Sequence, residues 1–351
     1  MNIIVIIFTA LLSLMIASFP DVSLSAARDA LSMCGDIIVP SLFPYFVCAN
    51  ILIALGISKY LSKAFGKFMT PAFNINGSGS LALILGLLSG YPCGAATSCK
   101  QYDEGSLSKN EAERLIAFSN NSGPLFIISA VGIGIYHSQK IGIILYISHV
   151  AGALLTGFVF RFFGESEKPT HRATAQKTSV FAAVSDSVIS IITLCGYVIF
   201  FSVILAMLRK IGLISMLSRL LSFVNINPAD AELLTSGLFE ITSGISGAHS
   251  ANLPFVSLVL SLGGISVLLQ TYSFVRKSGL SIKPYIFGKI LAGGFSALCT
   301  KIILVLCPVD ISVFSMFSEP KISFYISYLA SFLFAVFIFL VFLFLRKRKL
   351  P

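Results

Sequence analysis

The chain has 351 residues, of which 56% are apolar and only 11% charged, and its mean hydropathy is +0.91. A soluble core of this length has no use for such an apolar surplus, so most of the chain has lipid as its solvent. The net charge of +10 comes from Lys and Arg spread over short segments between apolar runs, which fits membrane orientation and not a nucleic-acid module.

From the N-terminus, the first apolar run covers residues 2–19. No Lys or Arg precedes it, and Phe19-Pro20 stands where a signal peptide carries small residues, so it reads as a retained span. Further runs long enough to cross about 30 Å of hydrocarbon lie near 37–56, 115–136, 141–163, 187–207, 252–275, 285–307 and 323–345. They predict an all-α polytopic membrane fold of about eight transmembrane helices. Between the second and third runs, Ser58 to Thr70 is amphipathic and basic, with Lys59, Lys63 and Lys67, as in a helix lying on the membrane surface.

Asn74 to Ala96 follows, apolar but interrupted by glycines and Pro92, and it recurs in altered form as Asn225 to Ala248. In each copy Asn-Ile-Asn precedes a Gly-Leu pair (Gly86-Leu87, Gly237-Leu238), with Ser-Gly and Gly-Ala soon after. Such stretches suit short helices that enter the bilayer, turn and leave. The copies extend upstream, where Gly212, Leu217-Ser218 and Arg219 answer Gly56, Leu61-Ser62 and Lys63.

The expected plan is an N-terminal span in 1–24 and a first repeat in 25–163 with a re-entrant hairpin at 72–97. A linker at 164–179 leads to a second repeat in 180–307 with a hairpin at 225–250, and 308–351 supply a last span and a basic tail. Basic loops set orientation: 164–179 (Lys168, Arg172, Lys177), 276–289, and the tail Arg346 to Lys349 are placed in the cytoplasm. The first two of these loops bracket the second copy together with two full spans, so that copy must return to the side it left. The first copy then opens inward and the second outward, the inverted topology of secondary transporters, with the site near the midplane. Both termini fall in the cytoplasm, while Arg209 and Lys210 fall outside, against the charge rule.

The first-half candidates are Ser89, Gly90 and Gly94 in the hairpin and Ser119, Asn120, Asn121 and Ser122 before Pro124. Four successive polar side chains cover every face of a helix, and Pro124 removes one backbone bond, so some of these groups must meet protein, water or substrate. Interhelical hydrogen bonding is the plainer account of them. In the second half Glu240 stands out, because a carboxylate at membrane depth costs about 2.5–3.5 kcal/mol and needs a partner, a proton or a cation. Thr242 and Ser243 follow it, and His249 reads as packing at the hairpin edge. Ser266 and Gln270 fall one turn apart on one face, placed to line a cavity. Lys301, near the outer end of its run, either snorkels or attracts an anion.

The seven cysteines include no Cys-x-x-Cys and sit mostly in apolar runs, so they read as packing residues and neither disulfides nor metal ligands. Phosphate-loop, dinucleotide, zinc-hydrolase and serine-nucleophile motifs are absent. Neither ATP-driven pumping nor an enzyme is expected, no catalytic residue, metal or cofactor is assigned, and a sodium or proton coupling ion is left open. The expected partners are the lipid bilayer and a small anionic substrate, without nucleic acid, and a homo-oligomer is left open.

Leu87 to Ala95 (LLSGYPCGA), Gly105 to Arg114 (GSLSKNEAER), Ser119 to Phe126 (SNNSGPLF), Glu240-Ile241-Thr242 and Gly263-Gly264-x-Ser266-Val267-x-x-Gln270 together resemble the YlbJ-type sporulation integral membrane proteins. The resemblance spans residues 25 to 310. It implies two gate, or nucleoside-recognition, domains distantly similar to concentrative nucleoside transporters. It also implies a role in moving dipicolinate out of the mother cell across the outer forespore membrane. By position, it implies that Ser89, Gly90, Tyr91, Gly94, Asn120, Asn121, Ser122, Glu240, Thr242 and Ser243 line the transport site. The chain departs from that pattern at Cys93, where bulkier apolar residues are usual, and at Gly123, where Asn is expected. The expectation is a secondary transporter for a small organic anion, dipicolinate first. A nucleoside or nucleobase carrier and a non-transporting scaffold of spore-envelope assembly stand as alternatives.

Overall fold

A computed structural model describes residues 2–55, 57–164, 180–223, 225–245 and 247–307, and among them every regular element is helical. The linker after Gly164, the expected span 323–345, the basic tail and Gly56 lie outside the described residues.

Helices α1 (Asn2–Ser18) and α2 (Pro20–Met33) meet at 99°. Pro20 sits in the first turn of α2, where a missing N–H removes no helical bond. A π-helical turn, Cys34–Ile38, leads into α3 (Val39–Ala54). Helix α4 (Ile57–Phe73) exposes Lys63 and Lys67 and buries Met69 and Phe73, then bends by 97° into the limb that begins at Gly77. That limb continues as α5 (Ser80–Ser89), and α6 (Cys93–Asp103) returns from it.

Helix α7 (Lys109–Ser119) opens on a capping box between Ser108 and Glu111. It stops at Asn120, whose backbone is extended, and the chain resumes after Pro124 as the π-helix Leu125–Ile135. The expected run 115–136 is therefore two helices, because the residue before a proline is disfavoured in helical conformation and the ring cannot donate a backbone bond. Helices α8 (Gln139–Phe160), α9 (Val180–Lys210) and α10 (Leu213–Ser222) follow. The second hairpin is α11 (Pro228–Phe239) and the short α12 (Ile241–Ile245). Helices α13 (Leu253–Leu262) and α14 (Gly264–Lys277) form one interrupted span, and α15 (Lys283–Leu306) ends the described chain.

By length and apolar composition, Gln139–Phe160, Phe181–Lys210, Leu253–Lys277 and Lys283–Leu306 can each cross a membrane, and the two bent pairs raise that number to six among the described residues. The protein has an all-α polytopic membrane fold. One placement needs correction: the loop expected at 276–289 is only 278–282, and Lys289 lies inside α15 at 4% exposure. Its neighbours Tyr285, Gly288, Ala292, Gly293, Ser296 and Thr300 are buried with it, so α15 presents a small and polar stripe to the protein interior.

The two Asn-Ile-Asn segments share their local geometry. Asn74 and Asn225 both take positive φ, 55° and 58°, a region that Asn tolerates better than most side chains. Asn76 and Asn227 then cap the next turn, accepting from the Ser78 and Ala229 backbone N–H at 3.1 and 3.0 Å. One apolar cluster joins Met69, Leu83, Leu115 and Phe118 to Val275, Leu280 and Tyr285. Another joins Leu233, Ile241 and Val259 to Ile127, Val131 and Leu145. Each hairpin thus packs on helices from the other half of the chain. Between the clusters α8 and α15 approach through small residues: a Cβ on Gly152 would lie 2.8 Å from the Ala292 carbonyl oxygen.

Candidate functional site

The first hairpin bends at Gly90 to Pro92, where Gly90 has φ 98° and the Tyr91-Pro92 bond is cis. Gly86 and Gly94 both lie so close to the Ser119 carbonyl that a Cβ on either would overlap its oxygen. A Cβ on Gly90 would stand 2.7 Å from the Gly123 nitrogen, and one on Gly123 2.7 Å from the Ser89 oxygen. The tip and the break after α7 are therefore locked backbone to backbone. Gly123 is the residue this contact admits, where the resemblance leads one to expect Asn.

The second half repeats the device. Its bend falls at Glu240, which is extended, and the break after α13 falls at Gly263 and Gly264, with φ 79° and 75°. A Cβ on Gly264 would lie 2.5 Å from the Gly237 oxygen, so this break also abuts its hairpin.

Polar contacts tie the two breaks together. The Tyr91 hydroxyl donates to the Leu260 carbonyl at 3.2 Å, and the Ser122 hydroxyl donates to the same oxygen at 3.3 Å. The Ser122 backbone N–H donates to His149 Nε2 at 3.0 Å, which leaves the ring proton on Nδ1, 2.7 Å from Ser261 Oγ. Asn120 donates to Thr271 Oγ1 at 2.8 Å and accepts from the Ala95 N–H at 3.4 Å. These groups are deep in the protein, where an unmade hydrogen bond costs about 1–3 kcal/mol, and the network satisfies them.

A cavity of about 90 Å³ opens between the tips, room for several waters or one small planar molecule at about 10–15 Å³ per water centre. Ser89, Gly90, Tyr91 and Ser122 line it from the first half; Glu240, Thr242 and Gln270 line it from the second. Ile38 and Leu42 with Leu194 and Val198 of α9 supply apolar wall. Glu240 is 1% exposed, and its Oε1 accepts from the Thr242 N–H at 3.1 Å and the Thr242 hydroxyl at 2.6 Å.

Other expected residues stand off the wall. Gly94 is held against Ser119, Asn120 belongs to the network, and Asn121 donates to the Phe118 carbonyl with its own oxygen buried and unpartnered. Ser266 is buried with its hydroxyl unpartnered. The side chains of Ser243 and His249 lie outside the described residues. Lys301 is half-buried in α15.

Sequence reasoning missed His149, Thr271, Tyr285 and above all Lys289. Its ammonium stands 3.3 Å from the Tyr91 oxygen and 4.8 Å from the centre of the Tyr91 ring. The signal was present: Tyr285, Lys289, Ala292, Ser296 and Thr300 recur every three or four residues, one face of a helix.

The gate (nucleoside recognition) family matches residues 37–166. The sporulation integral membrane protein YlbJ of Bacillus subtilis (strain 168) is 30% identical, over 83% of this chain and 79% of that protein. No solved structure matches. With that identity over that coverage, the chain belongs to the YlbJ family of sporulation integral membrane proteins.

Proposed function

We propose that the protein is a secondary transporter of a small organic anion, dipicolinate first, acting in sporulating cells at the outer forespore membrane with both termini in the cytoplasm. The observation that carries this reading is the convergence of both hairpin tips, each beside a broken helix, on one cavity whose largely apolar wall carries polar groups from both tips. Transporters of inverted-repeat design place substrate between discontinuous helices in this way. Residues 25–163 and 180–307 are then two repeats of opposite orientation, flanked by spans in 1–24 and 308–351 and joined by a cytoplasmic linker at 164–179. The matched left-handed and capping asparagines support that division.

The Gln270 amide on the wall can donate to carboxylate oxygens. Glu240 is the charged group on the wall among the described residues, and it opposes an anion unless a proton or a sodium ion neutralises it. Glu240 is accordingly the coupling site, and no catalytic step is assigned to the cavity.

The test is uptake of radiolabelled dipicolinate into vesicles holding the purified protein or its Glu240→Gln variant. Saturable uptake that ignores unlabelled nucleosides and changes in the variant supports the reading. The nucleoside-recognition match favours one rival, a nucleoside carrier, which competition by nucleosides would establish. No uptake by folded protein under sodium or proton gradients, in either direction, points to the scaffold.

A further inference from the structure

We propose that Lys289 is the positive charge that receives the carboxylate of the transported anion, with Tyr91 standing between it and the cavity. The inference rests on the transporter reading and assigns the substrate's charge a partner.

Lys289 is 4% exposed on α15, within a helix long and apolar enough to span the membrane. Among the described residues no carboxylate lies within ion-pair distance of it. Its partners are the Tyr91 oxygen at 3.3 Å and the rings of Tyr91 and Tyr285, at 4.8 and 5.8 Å from their centres. An ammonium has three N–H donors, and one phenol oxygen occupies one of them. Two tyrosine faces stabilise the charge in part but accept no hydrogen bond of ordinary strength. A cation at membrane depth is retained where it has something to bind.

Its position gives that role a direction. Tyr91 lines the cavity with one face of the hairpin tip and meets Lys289 with its hydroxyl. The same hydroxyl donates to Leu260, so the phenol oxygen is a replaceable acceptor for the ammonium. A carboxylate entering the cavity takes over that acceptor role, with two oxygens for the donors left over. Among the described residues no ion pair joins Glu240 to Lys289, and Glu240 Oε1 accepts from Thr242 on the opposite tip. The cavity therefore has an acid on the second hairpin and a base behind the first. That polarity suits an anionic substrate at one end and a coupling cation at the other.

Binding of dipicolinate and of its neutral analogue, pyridine-2,6-dicarboxamide, to the purified full chain tests this by calorimetry. Wild type should prefer the dicarboxylate at least tenfold, and Lys289→Met should abolish that preference. Tyr91→Phe, which removes the competing oxygen together with its bond to Leu260, should raise the preference for the dicarboxylate over the diamide severalfold. This second variant decides the matter if Lys289→Met does not fold. A folded Lys289→Met protein with its preference intact overturns the inference and leaves the transporter reading standing. So does a Tyr91→Phe change that is equal for both ligands. Failure of wild type to bind or take up either ligand overturns both.

Discussion

The two hairpin tips share one backbone plan but differ in how they are held. The first is fixed from outside itself: Tyr91 and Ser122 reach the Leu260 carbonyl, Gly86 and Gly94 straddle the Ser119 carbonyl, and His149 clamps the turn at Ser122. The second carries the carboxylate, and Glu240 Oε1 is bound by Thr242 two residues away on the same hairpin. One tip is a fixed jaw with uncharged donors, the other a jaw whose charge is organised locally.

The sharpest way to break this contrast is to add one methyl group to each hairpin. Gly86→Ala pushes a Cβ into the Ser119 carbonyl, backbone against backbone, with no side chain able to yield. It should cost about 3 kcal/mol or more and yield little monodisperse protein on size exclusion. Gly247 has open space where its Cβ would go, so Gly247→Ala should stay within about 0.5 kcal/mol of wild type. The open position is particular to Gly247, since a Cβ on Gly244 would meet the Gly237 backbone at 2.7 Å; equal damage from Gly86→Ala and Gly247→Ala would show that open space there confers no tolerance.

Carboxylates outside the cavity offer a test of intermediate size, since each half uses one to tie its hairpin region to a helix start. Glu111 accepts from the Asn76 N–H at 2.8 Å and the Ser108 N–H at 3.0 Å. Asp230 accepts from the Asn252 N–H at 2.7 Å and its side-chain amide at 2.5 Å. Glu111→Gln and Asp230→Asn each place an amide NH₂ against a donor and forfeit a charge-assisted bond, about 1.5–3 kcal/mol. The apparent melting midpoint in detergent should fall for both. A fall for Asp230→Asn alone would mean that the second hairpin depends on its clamp more than on its own cross-tie, the Tyr136 hydroxyl on the Ala248 carbonyl.

Those cross-ties explain what the sequence could and could not reveal. The helical membrane fold and the two hairpin stretches are written in local patterns, apolar length and glycine spacing, whereas the runs 115–136 and 252–275 read as continuous spans and break at Asn120–Gly123 and at Gly263. Glu240 was legible because a lone acid in an apolar stretch is conspicuous. Lys289 was not, because it lies just beyond Arg276, Lys277 and Lys283, the last of which begins a helix outside the apolar run. Loop charge and buried charge look alike there until the α15 stripe is seen against α8. His149 was hidden for a different reason: its partners Ser122 and Ser261 are brought to it by tertiary packing across 27 and 112 residues of chain.

Ser261→Ala tests that packing directly. It deletes the oxygen facing the His149 Nδ1 proton and should cost about 1–3 kcal/mol, the penalty of a buried unsatisfied donor. The thermal midpoint should recover in a Ser261→Thr protein, which restores the hydroxyl. No recovery would assign the loss to volume and not to the hydrogen bond.

The smallest expected effect compares α4 and α10, the helices that precede each hairpin. Ser62 on α4 donates to Asn76 Oδ1 at 2.7 Å, and Ser218 on α10 lies 2.9 Å from Thr235 Oγ1. Ser62→Ala leaves the cap itself intact, since Asn76 Oδ1 still accepts from the Ser78 N–H. Ser218 also bonds the Ile214 carbonyl, and Thr235 keeps its bond to Ala231. Each alanine should therefore lower stability by only about 0.5–1.5 kcal/mol, with the two midpoints shifting alike. If Ser62→Ala proved much the costlier of the two, the α4 contact would be part of what fixes the first jaw. The asymmetry between the hairpins would then begin at the helices that lead into them and not at their tips.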